Sequence, residues 1–215
     1  MVEIKFCGMT REEDAREAAA LGAEYVGAIL AQSPRRVTGV EAKRVLAGAA
    51  PGATRVAVFG PVSATDVVAD ASAARVKVAQ LHGDPTPAII AELRALWNGK
   101  VWAVVRVNGT GLPAGADKLF DVADAVVLDA RVEGKLGGTG VTLAWDALAP
   151  QLRPLRGRRA KLVLAGGLSP DNVARAIAAL APDVVDVSSG VESSVGVKDH
   201  ARMRAFRDAV RGESR

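Results

Sequence analysis

Cysteine and histidine are nearly absent from this sequence of 215 residues, which contains one cysteine and two histidines. A single thiol excludes an intramolecular disulfide, so nothing in the sequence favours an oxidising compartment. Cys7, His82 and His200 lie far apart along the chain and form no pattern typical of a metal site. We therefore expect no metal ion.

The sequence also lacks an apolar run long enough to cross a bilayer, for which about 18 consecutive apolar residues are needed. It opens with a strand-like segment and shows no basic-then-apolar leader. These two absences predict a soluble, cytoplasmic protein that has no membrane partner.

Aromatic residues make up only 4% of the chain, whereas 49% of its residues are hydrophobic. The core must therefore consist mainly of Val, Leu, Ile and Ala, which is typical of parallel strands covered by helices. The net charge is +4, and the arginines are scattered along the chain. The sequence lacks a basic stripe interleaved with aromatic residues, so we expect no nucleic-acid partner. Such a charge fits either a small anionic ligand or an ordinary solvated surface.

Short apolar runs alternate with helical patterns about eight times, which predicts parallel strands joined by right-handed crossovers. The predicted strands cover residues 1–8, 25–30, 55–59, 78–81, 101–107, 125–128, 162–164 and 184–187. No linker or change in composition interrupts the chain, so the prediction is one α/β domain over residues 1–215, a single (β/α)8 barrel. The alternative is an open doubly wound sheet, although the G-x-G-x-x-G fingerprint of dinucleotide-binding sheets is missing.

Several helix-start signals follow the predicted strands. Residues 10–13 have the form of a capping box, Ser63 is a predicted N-cap, and Pro87 is a predicted first helical residue. Residues 169–171 read Ser-Pro-Asp, which predicts that the helix after the seventh strand begins there.

Small residues follow both of the last two predicted strands. Ala165, Gly166 and Gly167 follow one of them, and residues 188–190, which read Ser-Ser-Gly, follow the other. Glycines allow backbone N–H groups to approach an anion closely, and (β/α)8 barrels commonly bind phosphate in the loops after strands seven and eight. The alternative is that these glycines only make tight turns.

Polar side chains stand at the ends of other predicted strands, where a barrel brings them to one mouth. Cys7 is either a small buried hydrophobe or a catalytic thiol favoured by a following helix N-terminus. Asp129 either caps a loop or, at the end of an apolar run, acts as a general acid. His82 is either structural or substrate-lining, while Arg35 is either a surface charge or a carboxylate-binding group.

These segments resemble, in order and spacing, the phosphoribosylanthranilate isomerase family. The matching segments are K-F-C-G-M-T at 5–10, S-P-R at 33–35, Q-L-H-G at 80–83, L-D at 128–129, G-G-T-G at 137–140, L-A-G-G-L-S-P-D-N-V at 164–173, D-V-S-S-G-V-E at 186–192 and K-D-H at 198–200. The resemblance covers nearly the whole chain. It implies a (β/α)8 barrel that catalyses an Amadori rearrangement in tryptophan biosynthesis, without a cofactor because an iminium intermediate accepts the electrons.

The resemblance also implies residue roles. Cys7 matches the general base, Asp129 the general acid, and Arg35 the arginine that holds the anthranilate carboxylate, although the neighbouring Arg36 is an alternative. The other implied substrate-binding residues, including the phosphate-binding loops, are His82, Gly138, Gly166, Gly167, Asp186, Ser188, Ser189 and Gly190.

Two other classes of function remain open at this point. One is a different barrel enzyme for a phosphorylated sugar or indole precursor, but the catalytic lysines or metal-binding acids of such enzymes are not recognised. The other is a non-catalytic barrel that binds a phosphorylated ligand. In each case the expected partner is a small molecule carrying phosphate and carboxylate groups, and the protein is expected to be a monomer or a homodimer.

Overall fold

Eight parallel strands form a closed barrel in a computed structural model that describes residues 1–49, 51–130 and 143–212. Each strand pairs with the next along the chain, and the eighth pairs with the first. The strands are β1 (Glu3–Phe6), β2 (Tyr25–Ile29), β3 (Thr54–Phe59), β4 (Val78–Leu81), β5 (Lys100–Val107), β6 (Ala125–Ala130), β7 (Lys161–Leu164) and β8 (Val184–Val187). The predicted barrel is confirmed, and the open-sheet alternative is wrong.

Helices follow the strands and cover the outside of the barrel. They are α1 (Glu12–Ala20), α2 (Gly39–Val45), α3 (Ala64–Ala74), α4 (Pro87–Leu96), α5 (Ala116–Val122), α6 (Trp145–Leu152), α7 (Val173–Leu180) and α8 (His200–Arg211). Within the described ranges, none of these helices combines the length and apolar character needed to cross a bilayer.

The buried apolar residues form two layers, because successive side chains of a strand point to opposite faces. The inner layer fills the barrel and consists of Tyr25, Val56, Val78, Trp102, Val104, Ala125, Val127, Val163, Ala165 and Val184. The residues between them belong to a larger cluster that packs the strands against the helices. At the base of the inner layer the rings of Tyr25 and Trp102 meet edge to face, 4.8 Å apart.

Two of the helix-start predictions are confirmed. The Ser63 side chain accepts a hydrogen bond from the backbone N–H of Asp66 at 3.2 Å, and Pro87 is the first residue of α4. Each segment therefore contains the local chemistry that its helix N-terminus requires.

The other two helix starts lie later than predicted. The first helical residue of α1 is Glu12, and the Thr10 hydroxyl donates to the Gly196 carbonyl instead of capping the helix. Similarly, α7 begins at Val173, and the Asn172 side chain accepts a hydrogen bond from the N–H of Ser169. Thr10 is thus used by another loop, whereas Ser169 belongs to the turn that precedes α7.

A short hairpin after β8 was not predicted. A single 3-10 turn (Ser189–Val191) leads into two antiparallel strands, β9 (Glu192–Ser194) and β10 (Val197–Lys198). This hairpin lies between β8 and α8 in the chain, and it positions Glu192 and Lys198 beside the mouth.

A stability test follows from the packing of α8 against β1. Phe6 and Phe206 are fully buried, and their ring centroids lie 5.9 Å apart. We expect Phe206→Ala to lower the free energy of unfolding by about 3–5 kcal/mol, because it leaves a cavity between the helix and the sheet. Urea denaturation measures the difference. Val40→Ala, at a site that is 73% exposed, is the control and should change stability by less than about 0.5 kcal/mol. Equal costs for the two variants would contradict the packing.

Candidate active site

Polar residues replace the apolar inner layer at the C-terminal end of the barrel. Every second residue of a strand points into the barrel. After Val78 these residues are Gln80 and His82, and after Val127 the next one is Asp129. These side chains surround a cavity lined by Cys7, Ile29, Arg35, Val58, Gln80, His82, Asp129, Ala165, Gly166, Gly167, Leu168, Asp186, Ser188 and Ser189. The barrel thus brings nearly all of the candidate residues to one mouth. Gly190 is not among the residues that line the cavity, and Gly138 lies outside the described residues.

Asp129 lies within β6 rather than after it, and its side chain reaches the cavity. Its Oδ2 is 3.3 Å from Nε2 of His82, although the angle is too poor for a hydrogen bond. Gly166 stands directly against the carboxylate with φ = +82°, and a Cβ at this position would lie 2.8 Å from Asp129 Oδ1. A glycine is therefore required beside Asp129 both for backbone conformation and for space.

Cys7 follows β1, is only 5% exposed and borders the same cavity. The expected helix N-terminus is not adjacent to it, because α1 begins only at Glu12. The charged neighbour is instead Lys5, which lies two residues earlier on the same strand. Burial raises the pKa of the Cys7 thiol, and Lys5 opposes that rise.

Lys5 and Asp186 form a buried ion pair below the cavity. Lys5 Nζ donates to Asp186 Oδ2 at 2.7 Å, and the side-chain exposures are 0% and 7%. The second oxygen, Oδ1, has no hydrogen-bond partner among the described residues. Asp186, which lines the cavity, therefore holds Lys5 with one oxygen and keeps the other without a hydrogen bond.

Arg35, in the loop after β2, forms a two-pronged ion pair with Glu192. Its Nε and Nη2 each donate to Glu192 at 2.7 Å, and Lys198 Nζ donates to the same carboxylate at 2.9 Å. Burial acts to raise the pKa of Glu192, but these two cations outweigh it and bring that pKa below its usual value. Arg35 is thus fixed at the cavity wall, whereas Arg36 is exposed and does not line the cavity.

The loops after β7 and β8, where the sequence predicts a phosphate site, form part of the cavity wall. Within the described part of the chain, the backbone N–H groups of Gly166 and Gly167 donate no hydrogen bond, and the Ser188 hydroxyl has no partner. The two loops touch at Gly190, where a Cβ would lie 1.9 Å from the Leu168 carbonyl oxygen. Unused donors beside a short helical turn are typical of phosphate sites in these barrels.

The sequence interpretation missed four polar residues of this region. Gln80 belongs to the quoted Q-L-H-G segment, and its position two residues after Val78 was a usable signal for an inward side chain. Lys5 similarly precedes Cys7 by two residues. Glu192 and Lys198 also belong to quoted segments, at 186–192 and 198–200, but only the unpredicted hairpin brings them to the mouth.

A polar cavity with a phosphate-type wall at the C-terminal mouth is typical of (β/α)8-barrel enzymes that act on phosphorylated small molecules. The family model for N-(5'-phosphoribosyl)anthranilate (PRA) isomerase matches residues 4–209 of this chain. The chain belongs to this family.

Individual relatives agree over the full length. The N-(5'-phosphoribosyl)anthranilate isomerase of Pseudomonas fluorescens (strain Pf0-1) is 42% identical over 211 residues, which cover 98% of either chain. The crystal structure of the Thermotoga maritima phosphoribosylanthranilate isomerase has a TM-score of 0.87 at 30% identity and covers 99% of this chain and 100% of that one. A further structure shows monomers generated from that dimeric enzyme.

A phosphoribosylanthranilate isomerase in complex with reduced 1-(o-carboxyphenylamino)-1-deoxyribulose 5-phosphate is also similar. Its TM-score is 0.83 at 30% identity, with 99% of this chain and 100% of that one covered. The expected isomerase class and the place in tryptophan biosynthesis are confirmed by these relatives.

The contact between the two phosphate-type loops generates a prediction. We expect Gly190→Ala to raise KM by roughly 10- to 100-fold, because the new methyl group must push the loops apart and displace their donors. Gly60→Ala is the matched control at the same mouth, since its Cβ would make an ordinary 3.6 Å contact with Ala31. Steady-state kinetics measures both variants. An unchanged KM in Gly190→Ala would show that the loop contact does not support the site.

Proposed function

We propose that this chain converts N-(5-phosphoribosyl)anthranilate into 1-(2-carboxyphenylamino)-1-deoxyribulose 5-phosphate, with Asp129 as general acid and Cys7 as general base. One observation carries the assignment of roles. The two side chains are far apart in sequence, yet both border a single cavity that also contains an anchored arginine and a wall of unused hydrogen-bond donors. The cavity therefore offers an acid, a base and two anion-binding groups together.

The reaction requires one proton to be supplied and another to be removed. Asp129 donates its proton to the ring oxygen of the ribose, the C1–O bond breaks, and the nitrogen lone pair forms an iminium ion. The Cys7 thiolate then removes the proton from C2, and the electrons of that bond neutralise the iminium to give an enolamine. Loss of the enol proton and protonation at C1 yield the ketone. The iminium accepts the electrons, so the proposal includes no cofactor.

The remaining residues of the cavity position the substrate. The phosphate is assigned to the loops containing Gly166, Gly167 and residues 188–190, where donors face the cavity. Arg35 is assigned to the anthranilate carboxylate, since its planar guanidinium suits such a group and Glu192 holds it in place.

His82 and Asp186 are assigned to the sugar. His82 Nε2 and Asp186 Oδ1 are both buried and have no hydrogen-bond partner among the described residues. An unsatisfied buried polar atom is costly unless a ligand or water completes it, so each atom is suited to a ribose hydroxyl. Gly138, which the resemblance adds to the phosphate site, remains a prediction.

The proposed setting is the cytoplasm, and the proposed assembly is a monomer or a homodimer. The cytoplasmic location is supported by the family's role in amino-acid biosynthesis and by the presence of only one cysteine in the chain. The dimeric enzyme of Thermotoga maritima supports a homodimer as one of the two states.

Removal of the acid or the base is the direct test of the proposed chemistry. We expect Cys7→Ala and Asp129→Asn each to lower kcat by about 10²- to 10⁴-fold while leaving the fold intact, because each removes one proton-transfer step. The loss of phosphoribosylanthranilate fluorescence measures turnover. Asp117→Asn, on an exposed face of α5, is the control and should retain wild-type activity. Near-normal turnover in both cavity variants would contradict the assignment, and ligand binding without turnover in the wild type would favour a non-catalytic barrel.

The two adjacent arginines provide a second test. Arg35→Lys keeps the charge but loses the planar, two-pronged geometry, so we expect KM to rise by roughly 10- to 100-fold. Arg36→Lys is the matched control, and its KM should stay within about twofold of the wild type, because its side chain is exposed away from the cavity. If Arg36→Lys has the larger effect, the carboxylate site is on the neighbouring residue.

A further inference from the structure

Lys5 is a fully buried cation that the proposed proton transfers do not use. It lies on β1 with its side chain inside the barrel, directly below the mouth, and its exposure is 0%. Lysine is rarely buried in this way unless its charge is compensated. Its position therefore calls for a reason beyond packing.

The Lys5 ammonium lies between two groups of the cavity. On one side it donates to Asp186 Oδ2 at 2.7 Å. On the other side lies the thiol of Cys7, which adjoins the same glycine as the ammonium group. Gly27 of β2 faces this pair, and a Cβ there would lie 3.0 Å from the sulfur and 3.4 Å from Lys5 Nζ. The absence of a side chain at residue 27 leaves room for the lysine and the thiol to share one small space.

The charges around the thiol favour a permanently protonated Lys5. Burial acts to lower the pKa of Lys5, but Asp186 and Cys7 together outweigh burial, so this pKa lies above its usual value. Burial raises the pKa of Cys7, and Lys5 is the strongest influence in the opposite direction. Asp186 adds to the rise. A base in this location needs a nearby fixed positive charge to exist as a thiolate.

We propose that Lys5 is a positioning residue for the base of the isomerisation: its ammonium group, fixed by Asp186, stabilises and orients the Cys7 thiolate. The inference rests on the proposed role of Cys7. Lys5 does not itself exchange a proton with the substrate. It offsets the cost of a negative sulfur inside the barrel and leaves the sulfur free to accept the proton from C2.

The second buried lysine provides a matched comparison. Lys198 Nζ donates to Glu192 Oε1 at 2.9 Å and to the Ser188 carbonyl at 3.0 Å, so its hydrogen bonds go to groups other than the sulfur. Its influence on Cys7 is weaker than that of Lys5. A lysine that is similarly buried but hydrogen-bonded to other groups therefore separates a specific effect from a general loss of packing.

The experiment is a pH titration of thiol reactivity. Cys7 is the single cysteine of the chain, so the rate of alkylation by iodoacetamide reports the thiolate fraction of this residue alone. We expect Lys5→Gln to raise the titration midpoint by about one pH unit, which corresponds to about tenfold less thiolate at lower pH. The ascending limb of the kcat/KM profile should move by the same amount, with little change in KM. Lys5→Arg keeps the positive charge, so its midpoint should lie close to that of the wild type. Lys198→Met should shift the midpoint less than Lys5→Gln does.

Three outcomes would overturn the inference. The first is an unshifted thiol titration in Lys5→Gln, and the second is an equal shift in Lys198→Met. If Lys5→Gln does not fold, the wild type labelled with ¹⁵N at Lys5 Nζ provides the test. Alkylation of Cys7 should then change the NMR signal and the titration of Lys5. An unchanged signal is the third outcome that would overturn the inference. The proposed function is tested separately. An active Cys7→Ala variant removes both proposals, whereas an inactive one with an unshifted titration in Lys5→Gln removes only the role of Lys5.

Discussion

The pairing of β8 with β1 is the constraint on which the rest of the structure depends. The two strands are aligned from Glu3 beside Val184 to Phe6 beside Val187, and the N–H of Cys7 then donates to the Val187 carbonyl at 2.9 Å. This register brings Cys7 to the loop that contains Ser188, although the two are remote in sequence. An open sheet of the same strands would leave them at opposite edges. Closure of the barrel is thus what makes one cavity out of separate strand ends.

Charge pairing at the mouth is the second requirement. Lys5 and Asp186 form one buried pair, while Glu192 accepts hydrogen bonds from both Arg35 and Lys198. Desolvation offsets much of the attraction within a buried ion pair, so such pairs add little net stability. Their main effect here is to hold each side chain in one position. The two apolar layers, one inside the barrel and one between the strands and the helices, supply the stability. The ion pairs supply the geometry of the site.

Local signals in the sequence predicted strands and helix starts well where these depend only on residues nearby in the chain. The bounds of β4 and β8 are those expected from their apolar runs, and Ser63 caps its helix as its position suggested. Thr10 did not cap, because its hydroxyl donates to the Gly196 carbonyl of a nearby loop. Ser169 did not cap, because it lies in a turn before α7, where its backbone N–H donates to Asn172 Oδ1. The β9–β10 hairpin was missed for a related reason. Its strands are only two or three residues long, too short to give a clear pattern.

The sequence by itself determined the alternation of strands and helices and most residues of the cavity, because strand ends and small-residue turns are visible in the order of amino acids. The class of enzyme came from the resemblance of whole segments to a known family. Only the tertiary structure decided which of the paired arginines faces the cavity, that Asp129 lies within β6, and that Lys5 rather than a helix N-terminus accompanies the thiol. These outcomes depend on which way a side chain points and on what lies across the barrel. Neither is encoded in a short segment, since both are fixed by the register between strands that are distant in sequence.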